Sequence, residues 1–296
     1  MGADLIFACI DIGSNTTRLL VADPGDGGLR ALDAERVFTR IGGSLSSEGA
    51  IAPEKISETA DVVRTQAIRA RAAGAGEPVV VATAAIREAP NRDELVAAVE
   101  RSCGLEVHVL SSEEEARLCF VGATRTLATA AESPVAVIDV GGGSTEVAVG
   151  DPKGGVSWSE SRKIGSGSLA DAYLRSDPPS APELAAVRRH VADVFEGLAP
   201  PTVESALAVG GTATSLRRLA GGELSHETLE RATGTLARSR VGELAERFDL
   251  DPERVRLLPA GILVLEALSD RLRVPLTIAR GGLREGVILE LFDSYG

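Results

Sequence analysis

An apolar run from Leu5 to Ile10 breaks at the polar turn Asp11-Ile12-Gly13-Ser14-Asn15, and a second apolar segment runs from about Arg18 to Ala22. This pattern predicts two strands joined by a polar tip. An extended stretch continues to about Ile41, and Pro53 then opens a helix with Ile56, Ala60, Val63, Ala67 and Ala70 on one face. Pro78 to Ala82 reads as a buried strand, Arg92 to Arg101 as a helix and Leu105 to Leu110 as another strand. Strands alternating with helices indicate a mainly parallel sheet.

The opening pattern then recurs. Val135 to Ile138 reads as a strand, Asp139-Val140-Gly141-Gly142-Gly143-Ser144 as a turn, and Glu146 to Val149 as a second strand ending at Asp151-Pro152. Asp11 falls on Asp139, Gly13 on Gly141, Thr16 on Ser144 and Thr17 on Thr145, a constant offset of 128 residues (139 − 11). The chain therefore carries a diverged duplication. Two lobes that each begin with such a hairpin are expected to face one another across a ligand-binding cleft. The seam is expected near residues 125–133, giving lobes at 1–128 and 129–283 with a closing helix at about 284–296 packed back on the first. The second lobe is expected to continue with strands to about Arg162, helices near 182–198, a strand into Gly210-Gly211-Thr212, helices over 226–271 and a strand at Leu276 to Ala279.

Composition narrows the function. With 296 residues the chain suits two lobes of roughly 150 residues each. Aromatic residues at 3% and a net charge of −12 argue against nucleic acid, which needs stacking platforms or clustered basic side chains. A polyanionic ligand must then meet a local basic site or arrive with a metal ion. Cys9, Cys103 and Cys119 form no CxxC spacing, so neither a zinc site nor a disulfide framework is expected. Met1-Gly2-Ala3-Asp4 leads into an apolar run that ends at Asp11, too short for a leader or a membrane span. The expected compartment is the cytoplasm, with no membrane partner.

A strand ending in Asp-x-Gly and turning through small residues surrounds an anion with backbone N–H groups and leaves a carboxylate to hold a cation. Two such turns at matching positions, the second with Gly141, Gly142 and Gly143 in a row, let backbone approach phosphate oxygens with no Cβ in the way. Gly210-Gly211-Thr212 follows an apolar strand and opens a helix, which suits an anion. Gly165-Ser166-Gly167-Ser168-Leu169-Ala170 matches a GxGxxA fingerprint but lacks the βαβ unit and downstream acid of a dinucleotide site. Both Ser111-x-x-Glu114 and Ser112-x-x-Glu115 fit a helix capping box, so spacing alone leaves either Glu open as a cap.

Asp11-Ile12-Gly13-Ser14-Asn15-Thr16-Thr17-Arg18 and Asp139-Val140-Gly141-Gly142-Gly143-Ser144-Thr145-Glu146 resemble the two phosphate loops of the exopolyphosphatase / guanosine pentaphosphate phosphatase (Ppx/GppA) family. Thr83-Ala84-Ala85-Ile86-Arg87-Glu88-Ala89 resembles that family's loop before its second helix, and Glu113-Glu114-Glu115-Ala116-Arg117-Leu118 its acidic helix start. Ser112 stands where the family usually has Gly. The resemblance spans nearly the whole chain. It implies a two-lobed actin-like (ribonuclease H-like) α/β fold, with duplicated mixed β-sheets flanked by helices and an interlobe cleft.

The resemblance also implies a phosphoanhydride hydrolase that releases terminal orthophosphate from linear inorganic polyphosphate by metal-assisted attack of water. Guanosine pentaphosphate is the alternative substrate, and a non-catalytic phosphate or nucleotide sensor the alternative role. On this reading Glu115 is the base, Asp139 and Glu146 serve metal and water, and Asp11 holds the metal through water. An oxygen-only donor set favours Mg²⁺ or Mn²⁺. Gly13, Ser14, Asn15, Thr16, Arg18, Arg87, Gly141, Gly142, Gly143, Ser144, Thr145, Gly210, Gly211 and Thr212 are the expected phosphate contacts, with Arg40, Arg162, Lys163, Arg217 and Arg284 as secondary candidates. Set beside longer relatives of that family, the chain to Gly296 is expected to lack their C-terminal helical domains, which help grip long polymers, so that processivity is either reduced or dependent on a homodimer.

Overall fold

The computed structural model describes residues 5–25, 28–127 and 131–295. Met1 to Asp4, and Ala128 to Ala130 of the expected seam, lie outside the described residues. The chain divides into one unit of Met1–Ala128 with Gly281–Gly296 and a second of Thr129–Arg280.

In chain order the first unit begins with β1 (Phe7–Ile12), β2 (Thr17–Gly25), β3 (Gly28–Val37), α1 (Ile41–Glu48), α2 (Pro53–Ala72) and β4 (Val79–Ala82). It continues with α3 (Ala84–Glu88), α4 (Arg92–Cys103), β5 (Val107–Val109) and α5 (Ser112–Arg125). The second unit holds β6 (Val135–Val140), β7 (Thr145–Asp151), β8 (Gly155–Arg162), α6 (Ser166–Tyr173), α7 (Ala181–Val194), β9 (Ser205–Val209) and α8 (Gly210–Ala220). It closes with β10 (Glu223–Leu224), α9 (His226–Leu236), α10 (Val241–Phe248), α11 (Pro252–Leu272) and β11 (Leu276–Ile278), after which α12 (Leu283–Tyr295) returns the chain to the first unit.

The first sheet has the order β3-β2-β1-β4-β5. Pairing is antiparallel for β1 with β2 and β2 with β3, and parallel for β1 with β4 and β4 with β5. The mainly parallel sheet expected from strand and helix alternation is thus corrected to a mixed one, because the opening hairpin extends into a third antiparallel strand. Side chains alternate faces along a strand, and the core divides accordingly. Ile10, Leu19 and Val80 pack with Val63 and Ala67 of α2 and Leu95 of α4, whereas Cys9, Leu20 and Val81 pack with Cys119 of α5 and Ile288 of α12. Asp11 shares the face of Cys9, two residues before it.

Helices α5 and α12 come together through glycine. A Cβ on Gly122 would lie 1.9 Å from the carbonyl oxygen of Gly282, and one on Gly286 would lie 2.0 Å from that of Leu118. Ion pairs from Arg117 to Glu290 and from Arg125 to Asp293 join the same two helices.

The second sheet has the order β10-β11-β9-β6-β7-β8. Its core gathers around α11, where Leu258, Ala260, Ile262, Val264, Leu265 and Leu268 are buried. No helix among the described residues is long and apolar enough to cross a membrane.

Candidate active site

The two hairpins close their turns with the same backbone hydrogen bond. Gly13 N donates to Thr16 O at 3.0 Å, and Gly141 N donates to Ser144 O at 3.0 Å. Their cross-strand pairs differ in charge. Asp11 stands opposite Arg18 on β1 and β2, whereas Asp139 stands opposite Glu146 on β6 and β7.

In the first hairpin Arg18 Nε and Nη2 both donate to Asp11 Oδ2, at 3.0 and 2.6 Å. Asp11 is buried, and its Oδ1 has no hydrogen-bond partner among the described residues. In the second hairpin two carboxylates face one another, a pairing that is unfavourable across strands unless a cation accompanies it. Glu146 is buried, and its Oε1 accepts a hydrogen bond from Ser161 Oγ at 3.0 Å. Among the described residues no three His, Cys, Asp or Glu side chains converge as a metal cage. Two opposed carboxylates fit a hard cation that keeps several waters and takes its remaining ligands from phosphate, as Mg²⁺ does.

Each loop is braced from behind. Gly42 N donates to Ser14 O at 2.8 Å and Arg40 N to Asn15 O at 3.1 Å. In the second unit Ser166 N donates to Gly141 O, and Gly167 N and Ser168 N both donate to Gly142 O, each at 2.9 Å. The GxGxxA run is therefore the buttress of the second loop, with the N–H groups of Ser166, Gly167 and Ser168 spent on that loop's carbonyls and that of Gly165 on Ser168 Oγ. A Cβ on Gly165 would lie 2.5 Å from Gly142 C and from Gly143 N. These are backbone atoms, so the loop itself must move to admit it. Gly165→Ala is expected to cost about 1–3 kcal/mol and to weaken inorganic phosphate binding severalfold, as measured by denaturant unfolding and calorimetry. Unchanged stability would remove the buttress role.

At α5 the choice between the two capping boxes is settled. Ser111 Oγ accepts from Glu114 N at 3.1 Å, and Glu114 Oε2 accepts from Ser111 N at 2.8 Å. That backbone hydrogen bond, followed by the Ser111 side chain, holds the Glu114 carboxyl below its usual range. Glu115 takes no part in the box. It is buried, and its Oε2 accepts from Arg87 Nη1 at 3.0 Å. The same Nη1 donates to Leu110 O at 2.7 Å, so Arg87 ties α3 to the start of α5.

Gly210 sits at φ 81°, and a Cβ there would lie 2.1 Å from Asp139 Oδ1. A Cβ on Gly211 would lie 2.4 Å from Nη1 of Arg254, a buried side chain of α11. The sequence reading missed Arg254. Its placement depends on α11 meeting the start of α8, and no local motif marks it. Ser161 was missed for a similar reason, since it meets Glu146 only through the pairing of β7 with β8. Among the secondary arginines, Arg217 and Arg284 hold the backbone carbonyls of Ile278 and Leu19, and Arg162 pairs with Glu160. Burial, then the neighbouring Arg18, lowers the Arg284 pKa from its ordinary value.

Known proteins share this architecture. The model of the Ppx/GppA phosphatase family matches residues 20–295. Exopolyphosphatase 2 of Mycobacterium tuberculosis is 32% identical over 319 residues, covering 96% of this chain and 98% of that protein. A guanosine-5'-triphosphate,3'-diphosphate pyrophosphatase of Aeromonas salmonicida is 28% identical over 305 residues, covering 98% of this chain and 60% of that protein. The crystal structure of the Ppx/GppA family member of Aquifex aeolicus matches with a TM-score of 0.82 at 27% identity, over 99% of each chain. The two mixed sheets flanked by helices are those of these actin-like structures.

Proposed function

The chain belongs to the Ppx/GppA phosphatase family and is a phosphoanhydride hydrolase, and from that premise we propose that it acts as an exopolyphosphatase on linear inorganic polyphosphate. The observation that carries this reading is the division of labour at α5. Glu114 closes the helix, and the adjacent Glu115 is a buried carboxylate with no capping role. Exopolyphosphatase is favoured over the guanosine activity because the mycobacterial exopolyphosphatase matches over 98% of its length and the guanosine relative over 60%.

In the proposed reaction, Glu115 takes a proton from water as the water oxygen bonds to the terminal phosphorus. The bond from that phosphorus to the bridging oxygen breaks, and its electron pair leaves with the shortened chain. In the turns at Gly13 to Thr16 and Gly141 to Thr145, the N–H groups of Gly13 and Gly141 close the turns, and those of Ser14, Asn15, Gly142 and Gly143, with Arg18, hold phosphate oxygens. Asp139 and Glu146 would hold Mg²⁺, which supplies charge compensation on the phosphoryl oxygens. Asp11 has given Oδ2 to Arg18 and keeps Oδ1 for a water-mediated contact. Arg87 fixes the orientation of Glu115.

The test is phosphate release from long-chain polyphosphate and from guanosine pentaphosphate, assayed in parallel with Mg²⁺ and again with excess EDTA. Release from polyphosphate that stops with EDTA is expected. A faster guanosine reaction would reassign the substrate, and tight binding of both ligands without release would favour a sensor.

A further inference from the structure

On β8, Ser161 pairs in register with Glu146 of β7, and its hydroxyl donates to Glu146 Oε1 at 3.0 Å. The duplicated hairpin shows what this contact does. In the first unit the strand position corresponding to Glu146 is Arg18, which grips its opposing Asp11 directly. In the second unit Glu146 opposes another carboxylate, so electrostatics across that pair pushes the two groups apart. A hydrogen-bond donor on one oxygen of such a carboxylate helps to set its rotamer. A positive group would do so but would also compete with a cation for the oxygens. A serine hydroxyl orients one oxygen without adding charge, and hydrogen bonds of this kind to ligating carboxylates commonly tune metal affinity.

The surroundings make Ser161 part of a rigid edge. Three residues on, Ile164 O accepts from Thr145 Oγ1 at 2.6 Å, and next to it begins the Gly165 to Ser168 buttress of the second loop. One continuous segment, from Ser161 to Ser168, thus contacts Glu146, Thr145, Gly141 and Gly142.

We propose that Ser161 is a positioning residue that holds the Glu146 carboxylate in the orientation required to bind the divalent cation. The proposal rests on the cation role given above to Asp139 and Glu146. Its test reads metal binding directly, with Mn²⁺ as the probe, by the loss of the free-ion electron paramagnetic resonance signal on titrating the full chain. Ser161→Ala is expected to weaken Mn²⁺ binding about tenfold. It should also raise the Mg²⁺ needed for half-maximal phosphate release by a similar factor, with little change in KM for polyphosphate at saturating Mg²⁺. Ser161→Thr, which keeps the hydroxyl, is expected to restore both.

A double-mutant cycle with Glu146→Gln separates positioning from general structural damage. If Ser161 acts through Glu146, Ser161→Ala adds little in the Glu146→Gln background. The proposal is overturned if Ser161→Ala binds Mn²⁺ as tightly as wild type, if Ser161→Thr is as impaired as Ser161→Ala, or if the losses simply add. A wild-type protein that binds Mn²⁺ but releases no phosphate would defeat the hydrolase reading and leave the binding test of Ser161 intact.

Discussion

Glu115→Gln is expected to lower kcat for phosphate release by roughly a hundredfold to ten-thousandfold, the range associated with losing a general base. The substitution keeps the size of the side chain and a carbonyl oxygen able to accept from Arg87, so melting temperature and KM should change little. Glu114→Gln is the matched control one residue away. It weakens the hydrogen bond to Ser111 N and should cost up to about 1 kcal/mol of stability, with kcat nearly intact. The opposite pattern, a kcat loss at Glu114 and none at Glu115, would transfer the base assignment or remove it.

The largest effect on stability is expected at Gly122. Replacing a helical glycine by alanine ordinarily stabilises by about 1 kcal/mol. Here the new Cβ would lie 1.9 Å from Gly282 O, 2.7 Å from Gly286 N and 2.8 Å from Gly282 C. No rotamer change relieves contacts with main-chain atoms, so α12 must move away from α5. Gly122→Ala is therefore expected to destabilise by about 3 kcal/mol or more, and to reduce kcat because α5 also carries Glu115. Gly242→Ala in α10, where nothing lies within 4 Å of the added methyl, should be neutral or slightly stabilising. Equal effects of the two substitutions in urea unfolding would show that the helix contact tolerates expansion.

The features legible in the sequence were those set by local pattern. The offset between Asp11 and Asp139 marked both hairpins, because each element is a short apolar run, a polar turn and a second run. Pro53 marked α2, and an apolar strand running into Gly210 marked the start of α8. Other features depended on partners distant in sequence. β3 carries Arg30, Asp33, Glu35 and Arg36 among its apolar residues and gains its strand identity from pairing with β2. α3 has five residues, too few to show a helical period. The capping ambiguity at Ser111 and Ser112 could be resolved only by the backbone, which placed Ser111 outside the helix in an extended conformation. Arg18 and Arg87 were legible as cations near the loops, but their present attachments to Asp11 and Glu115 follow from strand register and helix packing.

The path of the chain sets an order of assembly. Everything from Thr129 to Arg280 belongs to the second unit, and the first is completed only by Gly281–Gly296. A ribosome making this protein therefore exposes α5 well before its partner α12 exists. Until then the apolar face of α5, with Leu118 and Cys119, has no α12 to cover it. The second unit, contiguous in sequence, can fold while still tethered. The helix that carries Glu115 acquires its final packing only when residues 283–295 emerge.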